Sequence, residues 1–277
     1  MPELPEVETI VRGLNANLPG ESITKIPHIS RHLKLREPRL RDLEGDTFNS
    51  FWRRGKYIIG DLKSGRQLLI HLRMSGRLLI RDGGEKRVRH DHLVVTLGNS
   101  KRQLVFHDVR KFGVFEFLDD RNRSALGELG TEAPSISPKQ LHALMQSSRR
   151  PVKALLLDQQ AIAGLGNIYV DESLYSSGIH PQRPTGSISF PETQHLIKSI
   201  RSVLRLAIKN MGTTFDSYSG INGDSGRHAR YLKVYQQTGE KCRRCGEVIT
   251  KIRVAGRGTH FCPGCQTLTS VSKRGKK

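Results

Sequence analysis

The residues at the start of the chain carry the most reactive chemistry in the sequence. Pro2 directly follows Met1, and removal of that methionine leaves a free secondary amine. An α-amino group has a pKa of about 7.7–8, so a sizeable fraction is neutral and nucleophilic at physiological pH. Attack of such an amine on a sugar aldehyde carbon gives an iminium, which is a strong electron sink. Glu3 and Glu6 stand nearby as groups that transfer protons or fix the geometry.

The same segment also fits an ordinary helix start, and composition alone favours that interpretation. Pro5 suits a first helical turn because proline lacks the backbone N–H, which would have no partner there. The negative charge of Glu6 interacts favourably with the positive end of the helix dipole. Apolar residues then recur at helical spacing up to Pro19-Gly20. They are Val7, Ile10, Val11, Leu14 and Leu18.

All four cysteines lie near the end of the chain, as Cys242-Arg-Arg-Cys245 and Cys262-Pro-Gly-Cys265 with sixteen residues between the pairs. This spacing is typical of a zinc site in which two tight turns supply four thiolates to one tetrahedral ion. Two disulfides are the alternative, but we recognise no secretory signal, and the chain is large for a disulfide-dependent fold. We therefore predict one structural Zn²⁺.

Other segments of the sequence combine turn residues with side chains that could contact a nucleic acid. Gly164-Leu-Gly-Asn-Ile-Tyr-Val-Asp171 leads into a helix N-terminus, where exposed N–H groups and the Asn167 side chain suit a phosphate. Alone, this stretch is equally an ordinary turn with an asparagine cap. Met74 and Phe112 each lie beside arginine and glycine at the end of a predicted strand. They are either core residues or wedges of the kind inserted into an opened duplex.

The charge of the chain indicates a polyanionic partner. Its 46 lysines and arginines exceed its 26 acidic residues, which gives a net charge of +20 and a pI of about 10.2. Because the excess runs along the whole chain, a nucleic acid is favoured over a ribosome-like or merely well-solvated surface. No apolar run approaches the roughly 20 residues of a membrane span, so we expect a soluble protein.

The apolar pattern defines the elements that must position these groups. After the N-terminal helix, residues 22–118 show short apolar runs separated by turn residues, which predicts an antiparallel β-sandwich or barrel. Residues 130–138 are rich in small residues and proline and are predicted to be a linker. Gly212 is predicted as the C′ residue of the longest helix. Helical segments are predicted over 138–147, 151–160, 167–178 and 189–212.

Six motifs, in order along residues 2–265, resemble those of the formamidopyrimidine-DNA glycosylase family. They are Pro2-Glu-Leu-Pro-Glu-Val-Glu-Thr9, Arg54-Gly-Lys-Tyr57, His71-Leu-Arg-Met-Ser-Gly76, Val109-Arg-Lys-Phe-Gly113, Gly164-Leu-Gly-Asn-Ile-Tyr169 and the four-cysteine ending. The resemblance implies a base-excision repair enzyme that removes oxidised purines, such as 8-oxoguanine and formamidopyrimidines, from double-stranded DNA. It would then cut the strand at the abasic site by β,δ-elimination, as an AP lyase. Nothing in the sequence indicates an obligate oligomer, so we expect a monomer. The resemblance also implies a bacterial, cytoplasmic enzyme that associates with the nucleoid through DNA.

The fold implied by the resemblance is α+β and multidomain. Residues 1–130 would form the N-terminal helix and antiparallel β-sandwich of a catalytic domain, and residues 131–138 a linker. Residues 139–230 would form a helix–two-turn–helix domain, followed by the zinc-binding β-hairpin at 231–270 and a basic, disordered tail at 271–277. DNA would lie in the cleft between the two domains.

The resemblance also assigns the catalytic residues. Pro2 is implied as the nucleophile at the sugar C1′, Glu3 as the general acid/base and Glu6 as a supporting residue. Lys56 is implied as a further catalytic residue that contacts the phosphate region of the damaged nucleotide.

DNA-contacting residues follow from the resemblance in the same way. Met74, Arg110 and Phe112 would fill the gap left by the flipped base, with Arg110 facing the orphan cytosine. Phosphate contacts would come from both domains, including the turn of the zinc hairpin. The DNA-binding residues so implied are His71, His90, Arg110, Lys153, Asn167 and Arg257.

Two stretches depart from the family pattern. Tyr235-Gln-Gln237 stands where the family usually has Tyr-Gly-Arg, and residues 212–228 carry no clear match to the lesion-covering loop, so we assign no base-contacting residues there. The alternatives are an endonuclease VIII type of glycosylase for oxidised pyrimidines and an inactive zinc-dependent DNA-binding relative. The motifs Glu3-Leu-Pro-Glu6 and Val109-Arg-Lys-Phe112 favour the purine enzyme, and the presence of Pro2, Glu3 and Lys56 speaks against an inactive relative.

Overall fold

The computed structural model describes residues 1–215 and 218–268, which form two compact units. The first comprises Met1–Glu128 with Ala207–Ala229, and the second comprises Leu129–Leu206 with the described residues from Arg230 onward. Residues 207–229 group with the sandwich rather than with the helices because Tyr218 and Ile221 pack into the apolar core of the first unit. The predicted domain boundaries stay predictions, and the predicted tail at 271–277 lies outside the described residues.

Two four-stranded antiparallel sheets build the first unit, which confirms the predicted β-sandwich. Their strand orders are β1-β6-β7-β5 and β2-β3-β4-β8. An apolar core joins helix α1 to both sheets, with Leu14, Phe48 and Phe106 fully buried in it. The elements are α1 (Leu4–Asn17), β1 (Ile23–Ile29), α2 (Arg31–Arg36), β2 (Phe48–Arg54), β3 (Tyr57–Leu62), β4 (Gln67–His71), β5 (Gly76–Asp82), β6 (Asp91–Leu97), β7 (Arg102–Asp108), β8 (Val114–Phe117) and α3 (Asp120–Gly127).

The strand register decides where the functional segments leave the sheets. Strands β2 and β3 pair as far as Arg54 and Tyr57, which leaves Gly55-Lys56 as the two-residue turn between them. Strands β5 and β7 pair Gly76 with Asp108. The segment that precedes Gly76 and the segment that follows Asp108 therefore leave their sheet at the same place.

Helices with two short strand pairs form the second unit. Strands β9 and β10 pair in parallel, and β11 and β12 form an antiparallel hairpin. The predicted linker at 131–138 is a packed segment, because it contains β9 and buries Ala133 and Ile136. No helix of the described ranges is long and apolar enough to cross a membrane. The elements are β9 (Thr131–Glu132), α4 (Pro138–Gln146), α5 (Val152–Leu157), β10 (Ile162–Ala163), α6 (Asn167–Ser177), α7 (Phe190–Lys209), β11 (Thr250–Val254) and β12 (Arg257–Phe261).

Helices α6 and α7 each end with a left-handed residue. Gly178 ends α6 with φ 70°, at the position that the sequence predicts. At the end of α7, Met211 N–H donates to the Ile208 carbonyl and Gly212 N–H donates to the Ala207 carbonyl. This is a Schellman pattern in which Met211, with φ 59°, is the C′ residue. The prediction of Gly212 as C′ is therefore wrong by one residue.

Candidate functional site

Reciprocal carboxylate contacts fix the N-terminal segment at the start of α1. Glu3 is the N-cap residue, and Glu6 Oε2 accepts a hydrogen bond from the Glu3 backbone N–H at 2.8 Å. The Glu3 side chain accepts in turn from the backbone of Glu6, which completes a capping box. Pro2 is buried, while Met1 is 51% exposed. The helix-start interpretation is confirmed, and the same contacts fix the backbone next to Pro2.

The second oxygen of Glu6 binds a distant part of the first unit. Glu6 Oε1 accepts the backbone N–H of Thr213 at 2.7 Å. Gly212 makes this approach possible, because its φ is +76° and an added Cβ would lie only 2.7 Å from Glu6 Oε1. With both oxygens bound to backbone N–H groups, the buried Glu6 carboxylate is suited to positioning rather than to proton transfer.

Lys56 lies in the turn between β2 and β3, and that turn is tied to α1. Gly55 has φ 56°, which a glycine adopts without strain. Arg53 donates through Nη1 to the Gly55 carbonyl at 2.9 Å and through Nε to Glu8 Oε2 at 3.2 Å. Lys56 itself is buried. The Arg53 bridge therefore fixes the position of Lys56 relative to the helix that begins beside Pro2.

His71, at the end of β4, is a neutral hydrogen-bond donor. Its ring meets Tyr57 edge to face, with 4.5 Å between the centroids. Nδ1 accepts the backbone N–H of Arg73 at 2.9 Å, so the ring proton is on Nε2. Burial, together with the charges of Arg73 and Lys56, lowers the pKa of His71 to about 3. At neutral pH the side chain can therefore donate one hydrogen bond to a phosphate without carrying a charge.

Met74, Arg110 and Phe112 form one cluster on the surface of the first unit. Arg110 Nη1 lies 3.0 Å from Met74 Sδ, and the Arg110 guanidinium lies 5.1 Å from the centre of the Phe112 ring. Met74 is 44% and Phe112 54% exposed, so the alternative that they are core residues is wrong. An exposed apolar pair around a guanidinium is suited to stacking against bases.

His90 precedes β6 and adjoins the end of β7, the strand that Arg110 follows. Its φ of 74° is uncommon for a residue other than glycine, and its carbonyl accepts the Asp108 N–H at 3.0 Å. Its ring lies edge to face with that of His107, 6.1 Å between centroids. The structure thus places His90 next to the end of β7, two residues from Arg110.

The four cysteines of the second unit form a compact cluster. Their sulfurs lie within 4.8 Å of one another, with 3.8 Å between Cys242 and Cys265 and 3.4 Å between Cys245 and Cys262. Bonds of about 2.3 Å to a tetrahedral zinc place sulfurs about 3.8 Å apart. A disulfide needs about 2.05 Å, so the disulfide alternative is wrong. The donor set fits one structural zinc.

Lys153 and Asn167 hold the hairpin turn, which the sequence reasoning does not foresee. Lys153 has no exposed surface, and its Nζ lies 2.6 Å from Asp171 Oδ1 and 3.2 Å from the Gly258 carbonyl. Asn167 Nδ2 donates to the same carbonyl at 2.9 Å. The other oxygen of Asp171 accepts the backbone N–H of His260 at 2.9 Å. Both predicted DNA-binding side chains therefore contact the hairpin strand β12.

A second buried carboxylate of α6 fixes the chain that enters the hairpin. Glu172 accepts the backbone N–H groups of Lys233, Val234 and Tyr235 at 2.9–3.0 Å. Burial raises the pKa of Glu172, and the three N–H groups oppose that rise. The sequence contains a signal for such a role, because Asp171 and Glu172 are adjacent acids in a helix otherwise buried on all sides, where charges need partners.

Arg257, predicted in the turn of the zinc hairpin, is the first residue of β12 and directly follows that turn. Val254 pairs with Arg257, so that Ala255-Gly256 form the two-residue loop, with φ values of 49° and 74°. Positive φ at both positions is the mark of a type I′ turn. Arg257 is exposed. Its guanidinium therefore lies near the exposed end of a hairpin that is fixed by the zinc site and by contacts with α6.

Family profiles match the chain in the order of these parts. The formamidopyrimidine-DNA glycosylase N-terminal domain matches residues 1–115, and the H2TH domain of the same glycosylase matches residues 129–219. A zinc finger found in FPG and IleRS matches residues 239–268.

Curated relatives are similar over nearly the whole chain. A formamidopyrimidine-DNA glycosylase of Carboxydothermus hydrogenoformans is 39% identical over 96% of this chain and 100% of its own length. One from Streptococcus thermophilus is 40% identical, over 96% and 99% respectively. A solved structure of Lactococcus lactis Fpg with DNA containing an abasic site is 38% identical, with a TM-score of 0.88 over 96% of this chain and 100% of that one. A Lactococcus lactis mutant with a Fapy-dG containing DNA gives the same values.

Proposed function

The chain belongs to the formamidopyrimidine-DNA glycosylase family, and we propose that it excises oxidised purines from double-stranded DNA and then cuts the strand as an AP lyase. The observation that carries the chemistry is the N-terminus, where Pro2 is followed by two carboxylates whose contacts fix the backbone next to it. The solved relatives bound to abasic-site and Fapy-dG DNA support the substrate class.

Pro2 acts as the nucleophile once Met1 has been removed. Its secondary amine attacks the sugar C1′, and the bond from C1′ to the damaged base breaks as the base leaves with a proton. Opening of the sugar ring at O4′, with loss of the amine proton, gives an iminium at C1′. Loss of a proton from C2′ then expels the 3′ phosphate, and a second elimination releases the 5′ phosphate.

Glu3 and Glu6 divide the supporting work. Glu3 transfers the protons, because it adjoins the nucleophile directly. Glu6 positions the segment, because both of its oxygens accept backbone hydrogen bonds. Lys56 acts from the tied β2–β3 turn on the phosphate region of the damaged nucleotide.

Phosphate contacts hold the duplex without reading its sequence. We assign them to His71, His90 and Arg257, and we assign Lys153 and Asn167 an indirect part through the Gly258 carbonyl that both contact. The Met74, Arg110 and Phe112 cluster enters the base stack where the lesion has been flipped out, with Arg110 facing the orphan cytosine. The protein acts as a cytoplasmic monomer.

Borohydride trapping tests this proposal directly. The purified protein is incubated with an 8-oxoguanine:cytosine duplex and sodium borohydride, which reduces an iminium to a stable amine. We expect a covalent complex whose DNA-bearing residue, by peptide mass spectrometry, is Pro2. A cross-link on a lysine would overturn the mechanism, and the absence of any cross-link or strand cut would overturn the activity.

Two controls sharpen the result. Pro2→Gly keeps a terminal amine but makes it primary, so trapping should continue with altered kinetics, whereas a chain that keeps Met1 should not be trapped at all. A thymine-glycol duplex run in parallel should be processed more slowly than the 8-oxoguanine duplex. The reverse preference would favour the pyrimidine-directed alternative.

A further inference from the structure

Asp108 lies beneath the exposed Met74, Arg110 and Phe112 cluster and is itself almost completely buried. Its Oδ1 accepts the Ser75 hydroxyl at 2.5 Å and the Arg110 backbone N–H at 3.1 Å. Its Oδ2 accepts the Gly113 backbone N–H at 2.7 Å. One carboxylate thus binds both ends of the segment that carries Arg110 and Phe112, and also the residue that follows Met74.

Ser75 closes the connection between the two segments. Its Oγ donates to Asp108 and accepts the same Arg110 N–H at 3.1 Å. The Met74 segment is itself a tight turn, since Gly76 N–H donates to the Leu72 carbonyl at 2.9 Å. We call Asp108, Ser75 and the N–H groups of Arg110 and Gly113 the Asp108 clasp.

Two backbone features show that the clasp holds conformations the chain would not adopt alone. Arg73 and Lys111, one in each segment, have φ values of 52° and 59°, in the left-handed region that favours glycine. At Gly113 an added Cβ would lie 2.5 Å from Phe106 Cζ and 3.1 Å from Asp108 Oδ2. The loop therefore sits directly on the carboxylate, with no room for a side chain between them.

The clasp is also supported from the opposite side. His92 Nε2 lies 2.8 Å from the Asp108 carbonyl, so this nitrogen carries a proton and donates. His92 Nδ1 lies 3.0 Å from the hydroxyl of Ser30, the N-cap of α2. Asp108 is thus fixed at its backbone and at both side-chain oxygens.

From this geometry we propose that Asp108 and Ser75 are positioning residues that hold Met74, Arg110 and Phe112 as one rigid unit and thereby set the selectivity for the base opposite the lesion. The inference rests on the proposed function, in which Arg110 faces that base. Arg110 reads an opposite base through the position of its guanidinium, and its backbone N–H is the group that both clasp residues bind. A loosened clasp leaves the side chains present but misplaced, so selectivity falls more than binding does.

The test compares single-turnover excision of 8-oxoguanine opposite cytosine and opposite adenine. Ser75→Ala removes the connection between the segments and leaves the Asp108 bonds to Arg110 and Gly113. We expect the cytosine-to-adenine rate ratio to fall by about tenfold, the scale of one hydrogen bond to a charged group, and Ser75→Thr to restore it. Ser64→Ala is the matched control, because it removes an equally short serine–aspartate bond, 2.5 Å to Asp46, in the turn between β3 and β4, at the opposite end of β4 from the Met74 segment. That variant should keep the wild-type ratio.

An unchanged ratio in Ser75→Ala, or equal slowing on both duplexes, would overturn the inference. A second measurement does not need catalysis. A duplex with a stable abasic-site analogue and 2-aminopurine beside the orphan base becomes fluorescent when side chains enter the stack. At saturating protein we expect a smaller rise for Ser75→Ala and for Asp108→Asn than for wild type, and equal rises would also overturn the inference. The wild type could fail to excise 8-oxoguanine while the two variants still give a smaller fluorescence rise than the wild type. In that case the proposed function fails and the role of the Asp108 clasp stands.

Discussion

In the first unit, the segments that carry Glu6, Lys56 and His71 rest on an apolar core that joins α1 to both sheets. In the second unit, the zinc hairpin packs on a small cluster in which Tyr175, Val234 and Ile249 accompany the cysteines. Its order comes instead from four thiolates and from two buried carboxylates of α6. The comparison indicates that hydrophobic burial positions the proposed catalytic residues of the first unit, whereas metal and charge position the hairpin that carries Arg257. We therefore expect the two units to lose their structure under different conditions.

Loss of zinc should give the largest effect and should spare the first unit. Cys262→Ser removes one thiolate, and structural zinc contributes about 10 kcal/mol or more to the folding of small zinc domains. We expect the zinc content to fall and duplex affinity to drop by about 100-fold, because the Arg257 tip is no longer held. The fluorescence of Trp52, the one tryptophan of the chain, follows the unfolding of the first unit in urea. The urea concentration at the midpoint of this transition should not change.

A matched variant checks that prediction. Val248→Ser changes an exposed residue of the same segment and leaves all four ligands in place, so it should bind zinc and DNA like the wild type. Survival of duplex affinity in zinc-free Cys262→Ser protein would contradict the role given to the hairpin.

Breaking the Lys153–Asp171 pair should have the next largest effect. Asp171→Asn leaves a buried ammonium without its carboxylate, which typically costs about 3–5 kcal/mol. The His260 amide, which donates to Asp171 Oδ2, should then exchange with solvent more than about 100-fold faster in hydrogen-exchange measurements.

The control is another aspartate in an ion pair of the same unit. Asp158→Asn breaks a pair with Arg150 whose side chains are 31% and 41% exposed, so its effect should stay below about 1 kcal/mol. Adding Lys153→Met to Asp171→Asn should recover part of the lost stability, since neither position of the pair then carries a charge. Equal effects of the two aspartate variants would show that burial of the pair is not what anchors the hairpin.

The smallest predicted effect concerns the stability of the first unit at acidic pH. The pKa of His71 is about 3 in the folded chain, against an ordinary value of 6.5. Between these two pH values, the His71 side chain binds a proton in the unfolded chain but not in the folded chain. Its contribution to stability is present above pH 6.5 and is lost as the pH falls toward 3. Between pH 6 and 4, His71→Gln should flatten the fall in unfolding free energy by up to about 1.4 kcal/mol per pH unit.

Urea unfolding followed by Trp52 at several pH values measures this slope in the first unit, apart from any acid release of zinc by the second. His195→Gln, an exposed histidine on α7, serves as the control. Identical slopes for wild type and His71→Gln would mean that His71 is already charged in the fold.

Local patterns predict much of this molecule. Alternating apolar runs predict the sandwich, helical spacing predicts α1 and α7, and the paired cysteines predict the zinc site. Contacts between polar groups far apart in sequence have no periodic signal. The bonds of Glu6 to Thr213, of Asp171 to His260 and of Ser75 to Asp108 belong to this class.

Two further details have no signal in the sequence. The resemblance implies DNA contacts for Lys153 and Asn167, which stay predictions, and the structure adds that both side chains contact the Gly258 carbonyl of their own chain. Sequence also favours glycine for the left-handed end of α7, yet Met211 takes that conformation because the Schellman hydrogen bonds and the packing of residues 207–229 outweigh its strain.

The contact between Glu6 and Thr213 also sets an order of events during synthesis. The two residues are 207 positions apart, so on a growing chain the N-terminus lacks this partner until nearly four-fifths of the protein has been made. At about 5–20 residues per second, that interval lasts roughly 10–40 seconds. Met1 is therefore best removed on the ribosome, before Pro2 is enclosed. Residues 207–229, the last-made part of the first unit, then complete the contacts of Glu6 after the proposed nucleophile has been freed.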